Sequence, residues 1–120
     1  MKKILLIDDS GMILRNMKAF LEETYEVAMA ISGVTAIAAL ERGKPDLIFL
    51  DYEMPEMDGI ETLNKIREFD EYKDIPIVFL TGADTPDTVE KLLATGCAGY
   101  LLKPAQKDVV LETIDRILNK

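Results

Sequence analysis

The sequence has no histidine, no tryptophan and only one cysteine, and basic residues are the minority charge. Without histidine there can be no Ser-His-Asp or Cys-His nucleophilic arrangement and no histidine-containing zinc site. A lone Cys97 cannot close an internal disulfide, which suits a reducing compartment. No apolar run approaches the roughly 20 residues of a membrane-spanning helix. The opening MKKILLI runs straight into Asp8 and Asp9 without a small-residue cleavage site, so it does not read as a signal peptide. With 14 basic against 22 acidic residues the formal net charge is −8, which argues against a broad grip on nucleic-acid phosphates. The first strand-like run is not followed by a Walker A pattern or glycine-rich loop, so nucleotide binding is disfavoured. The expected setting is cytoplasmic, with neither membrane nor direct nucleic-acid contact.

The 120 residues are 48% hydrophobic and 30% charged, the balance of one globular domain spanning 1–120. Short apolar runs at 3–7, 25–30, 46–50, 76–80 and 99–102 alternate with amphipathic stretches near 12–23, 33–42, 59–69, 86–95 and 106–119. Strands made almost wholly of Ile, Leu, Val and Phe imply burial on both faces, as in a parallel sheet covered by helices. Five strand–helix repeats predict a doubly wound α/β domain. Asp58 with Glu61 reads as a capping box, and Thr85-Pro86 as an N-cap with proline at the first helical position. Gly43 and Gly96 fall where helices should end. The Ala-rich stretch 36–39 predicts close helix–sheet packing, and Met54 and Met57 predict packing of the loop after the third strand. Cys97 reads as a small buried apolar residue without a redox role.

Ligands of open parallel sheets sit beyond the carboxyl ends of the strands. There the sequence places Asp8-Asp9 after the first strand, Asp51 after the third, Thr81-Gly82 after the fourth and Lys103-Pro104 after the fifth. Taken singly these are a helix cap, a loop carboxylate, a strand-end hydroxyl and a solvated charge. Together they converge on one end of one sheet. Two carboxylates about 4 Å apart repel by roughly 4 kcal/mol at an effective dielectric near 20, so three require a proton or a cation. Mg²⁺ takes hard oxygen ligands of this kind, and a carboxylate beside it can act as a nucleophile toward phosphorus. A lysine and a hydroxyl would then offset charge on the transferred phosphoryl oxygens.

The segments ILLIDDS, DLIFLDYEMPEMDG, PIVFLTG and GYLLKP, in that order, resemble the receiver domain of two-component response regulators across nearly the whole chain. The resemblance implies a five-stranded parallel sheet of order 2-1-3-4-5, flavodoxin-like, with helices on both faces. It implies Asp51 as phosphoacceptor and Asp8 and Asp9 as the acidic pair organising Mg²⁺, Asp9 being favoured as the direct ligand. Glu53 would complete the metal site through its backbone carbonyl. Thr81 corresponds to the switch hydroxyl, Lys103 to the phosphate-binding lysine and Tyr100 to the aromatic switch, although Tyr100 also reads as a half-buried strand residue. The Lys103-Pro104 peptide is expected to be cis, and Glu53 and Ala83 occupy positions that influence the lifetime of the acyl phosphate.

With no histidine of its own, the chain would receive the phosphoryl group from a sensor histidine kinase or histidine phosphotransfer protein. It would then signal to a downstream protein or output domain through its fourth helix, fifth strand and fifth helix. It would catalyse only its own phosphorylation and dephosphorylation. A dimer linked to phosphorylation stays open. Two rivals remain on the residues alone: a Mg²⁺-dependent phosphatase with an aspartate nucleophile, and a scaffold that keeps only the fold. The first would place its nucleophile after the first strand in a DxD motif, whereas here Asp51-Tyr52-Glu53 follows the third.

Overall fold

The computed structural model describes residues 1–119. Five strands alternate with five helices: β1 Lys3–Ile7, α1 Gly11–Leu21, β2 Glu26–Ala30, α2 Gly33–Arg42, β3 Leu47–Asp51, α3 Gly59–Arg67, β4 Ile77–Thr81, α4 Pro86–Leu93, β5 Gly99–Leu102 and α5 Lys107–Leu118. The strands form one parallel sheet in the order β2-β1-β3-β4-β5. The expected runs differ from these bounds by a few residues at most. The chief shift is at the two central strands, which begin one residue later and end on Asp51 and Thr81 themselves.

Strand residues alternate between two cores because successive side chains point to opposite faces. Leu5, Ile7, Ile48, Leu50, Ile77 and Phe79 face one layer with α2, α3 and α4. Ile4, Leu6, Leu47, Phe49, Val78 and Leu80 face the other with α1 and α5. β3 and β4 are buried at every position, which is why their sequences lack polar alternation. The helices meet the sheet through apolar stripes at helical spacing, such as Leu14, Met17 and Leu21 on α1. Ala36 and Ala39 are buried on α2, as the small-residue stretch predicts. Truncating a fully buried Leu here, for example Leu50, costs about 2–5 kcal/mol.

The predicted caps are present. Asp58 accepts from the Glu61 N–H while the Glu61 carboxylate accepts from Asp58, closing a capping box. Thr85 caps α4 with Pro86 at its first position. Gly43 ends α2 with an extended backbone rather than a left-handed one, and Gly96, beyond α4, has φ of 76°. No helix among the described residues is long and apolar enough to cross a membrane.

Candidate functional site

The parallel register brings the chemistry together. Ile7 pairs with Leu50, Asp51 with Leu80, and Thr81 with Leu102. The residues that follow, or end, these strands therefore lie side by side along the carboxyl edge: Asp8, Asp51, Thr81 and Lys103. Backbone bonds continue the ladder there, from Asp8 N–H to Ala30 O, Tyr52 N–H to Leu80 O and Lys103 N–H to Thr81 O. The Lys103-Pro104 peptide is cis.

Asp8, Asp9 and Asp51 each offer a carboxylate oxygen within 4.8 Å of the others. Asp8 and Asp51 are only 1% exposed, whereas Asp9 is open to solvent. The Lys103 ammonium lies 2.8 Å from Asp51 Oδ1 and 2.9 Å from Asp8 Oδ2, bridging the buried pair. The other oxygens are unevenly served. Asp8 Oδ1 accepts from Ser10 N–H at 2.9 Å, and Asp51 Oδ1 from Glu53 N–H at 3.3 Å. Asp51 Oδ2 is buried without a hydrogen-bond partner, and Asp8 Oδ2 meets Lys103 as an ion pair but lacks a well-directed hydrogen bond. Buried carboxylate oxygens in that condition cost free energy unless a cation or donor reaches them. Three hard oxygen donors with two such atoms fit a small divalent cation such as Mg²⁺.

The electrostatics follow from this crowding. Burial pushes the Asp51 carboxyl up from 3.8 to about 7, the neighbouring Asp8 charge adds to the rise, and the hydrogen bond from Lys103 opposes it. For Lys103, burial pulls downward, but its bonds to Asp51 and Asp8 outweigh that and hold it above its ordinary value. Without a metal, the site thus favours one ammonium and a carboxyl that keeps a proton near neutrality.

Not every anticipated residue reaches the cluster in this state. The Thr81 hydroxyl is buried but turned away: it donates to Ala83 O at 2.9 Å and accepts from Ala83 N–H at 3.2 Å. Ala83 was legible only as a side chain without polar groups; its backbone is what holds Thr81. Tyr100 pairs with Phe79 in register and packs, half-buried, on the α2–α3–α4 core. The Glu53 side chain is exposed and lies near Gly82, where a Cβ would be 3.9 Å from Glu53 Oε1. Ser10, not Asp9, caps α1, leaving the Asp9 carboxylate free. The loop between β3 and α3 is drawn tight by Gly59, where a Cβ would lie 2.5 Å from Asp51 O and 2.8 Å from Tyr52 Cα. Met54 of that loop is buried. A Cβ on Gly33 would lie 2.6 Å from Met57 Sδ, so the loop also leans on the start of α2. Cys97 is half-buried, packs on the same core as Tyr100 and donates to Leu92 O.

The sequence pattern described as the response regulator receiver domain matches residues 4–115. The chain is 36% identical over 118 residues to the chemotaxis protein CheY of Halobacterium salinarum, covering 98% of this chain and 97% of that protein. It is 35% identical over 116 residues to the CAI-1 autoinducer sensor kinase/phosphatase CqsS of Vibrio cholerae, 94% of this chain but only 17% of that longer protein. Among solved structures, the chemotaxis protein CheY4 of Vibrio cholerae matches with a TM-score of 0.93 at 34% identity, over 98% of this chain and 99% of that one.

Proposed function

The chain belongs to the response regulator receiver domain family of two-component signalling, and from that premise we propose that Asp51 accepts a phosphoryl group from a partner's phosphohistidine. The observation that carries this reading is the cluster itself: Asp51 Oδ2 unpartnered and buried, with Asp8, Asp9 and Lys103 gathered around it. An Asp51 carboxylate oxygen attacks phosphorus, the new O–P bond forms as the N–P bond breaks, and the electron pair leaves with the partner's imidazole. Asp8, Asp9, Asp51 and the backbone carbonyl of Glu53 would hold Mg²⁺. When bound, the ion supplies positive charge that offsets the three carboxylates and the phosphoryl oxygens.

Lys103 provides the charge fixed by the chain. Once phosphorylated, Asp51 no longer carries its carboxylate charge beside Lys103, which is then available to the phosphoryl oxygens. Thr81 can donate to one of those oxygens only after its hydroxyl leaves Ala83 O. That movement would open or close space beside Tyr100, which stands on β5 two residues before Leu102, the register partner of Thr81, and so bias the α4–β5–α5 face. Leu93, Leu102 and Val109 are exposed there, and this face would meet a downstream protein or an output domain. The domain spans 1–120 in this reading. Its donor is a sensor histidine kinase or a histidine phosphotransfer protein, and its chemistry is confined to its own phosphorylation and dephosphorylation.

The test is incubation with Mg²⁺ and acetyl phosphate, followed by intact-mass measurement. One added phosphoryl group is expected, absent in Asp51→Asn. Labelling that persists in Asp51→Asn would place the acceptor elsewhere.

A further inference from the structure

A cavity of about 330 Å³ opens between α1 and the start of α5, with Lys103 and Pro104 among the residues that line it. Its floor is apolar, built from Ile13, Met17 and Phe20 of α1, Leu80 of β4 and Ala105. Met17 and Leu80 are buried, and Ile13 and Phe20 half-buried. The cavity is open to solvent, with Asn16, Gln106 and Lys107 exposed among its lining residues. At the roughly 30 Å³ that one water occupies in the liquid, it holds about eleven waters, or a ligand of about ten heavy atoms. Its size falls at the lower end of small-molecule sites.

The rim has one sign of charge. Lys107 is exposed, lines the cavity and forms no ion pair among the described residues. Asn16 and Gln106 add uncharged polar groups. Gln106 stands at the N-cap of α5 without a side-chain cap bond, while Asp108 in the first turn accepts from Val109 N–H and offsets the positive end of that helix. On a chain of net charge −8, an apolar recess with a free ammonium at its mouth selects an apolar body with an anionic head. We propose that this cavity binds a small aliphatic carboxylate, its chain against Met17, Phe20 and Leu80 and its head at Lys107.

The probe is octanoate, which has the right atom count, titrated into ¹⁵N-labelled protein while amide shifts are followed. Saturable shifts centred on Ile13, Phe20, Ala105 and Lys107 are expected, with Kd near 1 mM for a ligand of about ten heavy atoms. Octylammonium, of equal length and opposite charge, should bind at least about tenfold more weakly, and Lys107→Glu should weaken octanoate by a similar factor. Ala105→Phe should fill the recess and abolish binding; if it does not fold, Lys107→Glu decides alone, because Lys107 is exposed. Equal binding of octylammonium would overturn the proposal. So would shifts that never saturate, or that spread equally to the exposed Leu93 and Leu102.

Discussion

Replacing Asp51 with asparagine should stabilise the metal-free protein at alkaline pH and leave it nearly unchanged in acid. Asp51 is 1% exposed, and burial with Asp8 beside it raises its carboxyl from 3.8 to about 7. Below 3.8 the group is protonated in folded and unfolded chains alike, and its contribution to stability is fully present. Between 3.8 and 7 the folded protein keeps a proton that the unfolded chain has released, so stability falls as pH rises. Above about 7 the loss is complete. Over that window the shift corresponds to about 4 kcal/mol, or roughly 10–20 °C in melting temperature for a domain of this size. Asparagine cannot ionise and removes this slope, while any altered hydrogen bond to Lys103 shifts its curve by a constant. The assay is thermal unfolding of both proteins in EDTA from acid to pH 8.5, plotted as their difference, in which the other titrating groups largely cancel. Added Mg²⁺ should restore the wild type at pH 8 and do little for Asp51→Asn. Parallel curves across the whole range would refute the reasoning.

Other consequences are simpler to check. Asp9→Asn should weaken Mg²⁺ binding at least about tenfold, measured by titration calorimetry, yet hardly alter urea unfolding in EDTA, because Asp9 is exposed and Ser10 does the capping. Gly59→Ala should cost roughly 2–3 kcal/mol in urea, since its methyl would meet Asp51 O and Tyr52 Cα. Glu56, with φ of 69°, sits in the left-handed region that L-residues resist. Glu56→Gly should therefore raise stability by about 0.5–1 kcal/mol, whereas Glu56→Ala should not.

Much of this was legible because the apolar runs and caps act locally. The strands from Leu47 and Ile77 are apolar up to their last residues, Asp51 and Thr81, because both faces are covered, and Asp58 with Glu61 announces a helix start through bonds three residues apart. Glu56 gave no signal, because nothing in Met-Pro-Glu-Met marks a positive φ; it sits at the centre of a tight turn that the Met57 N–H closes on Pro55 O at 2.8 Å. The engagement of Thr81 with Ala83 was equally silent, since a backbone carbonyl offers the same acceptor whatever its side chain.

By itself the sequence determined the period of each element, and therefore a layered α/β domain with Asp8, Asp9, Asp51, Thr81 and Lys103 at strand ends. Local periodicity and capping are properties of adjacent residues, so they survive in the string of letters. Only the tertiary structure decided that Asp8 and Asp51 share one ammonium, that Asp51 Oδ2 has no partner and that the carboxyl keeps its proton to about pH 7. Those follow from strand register and burial, which bring together residues up to 95 positions apart (Asp8 and Lys103) and remove the water that would otherwise hold their charges apart.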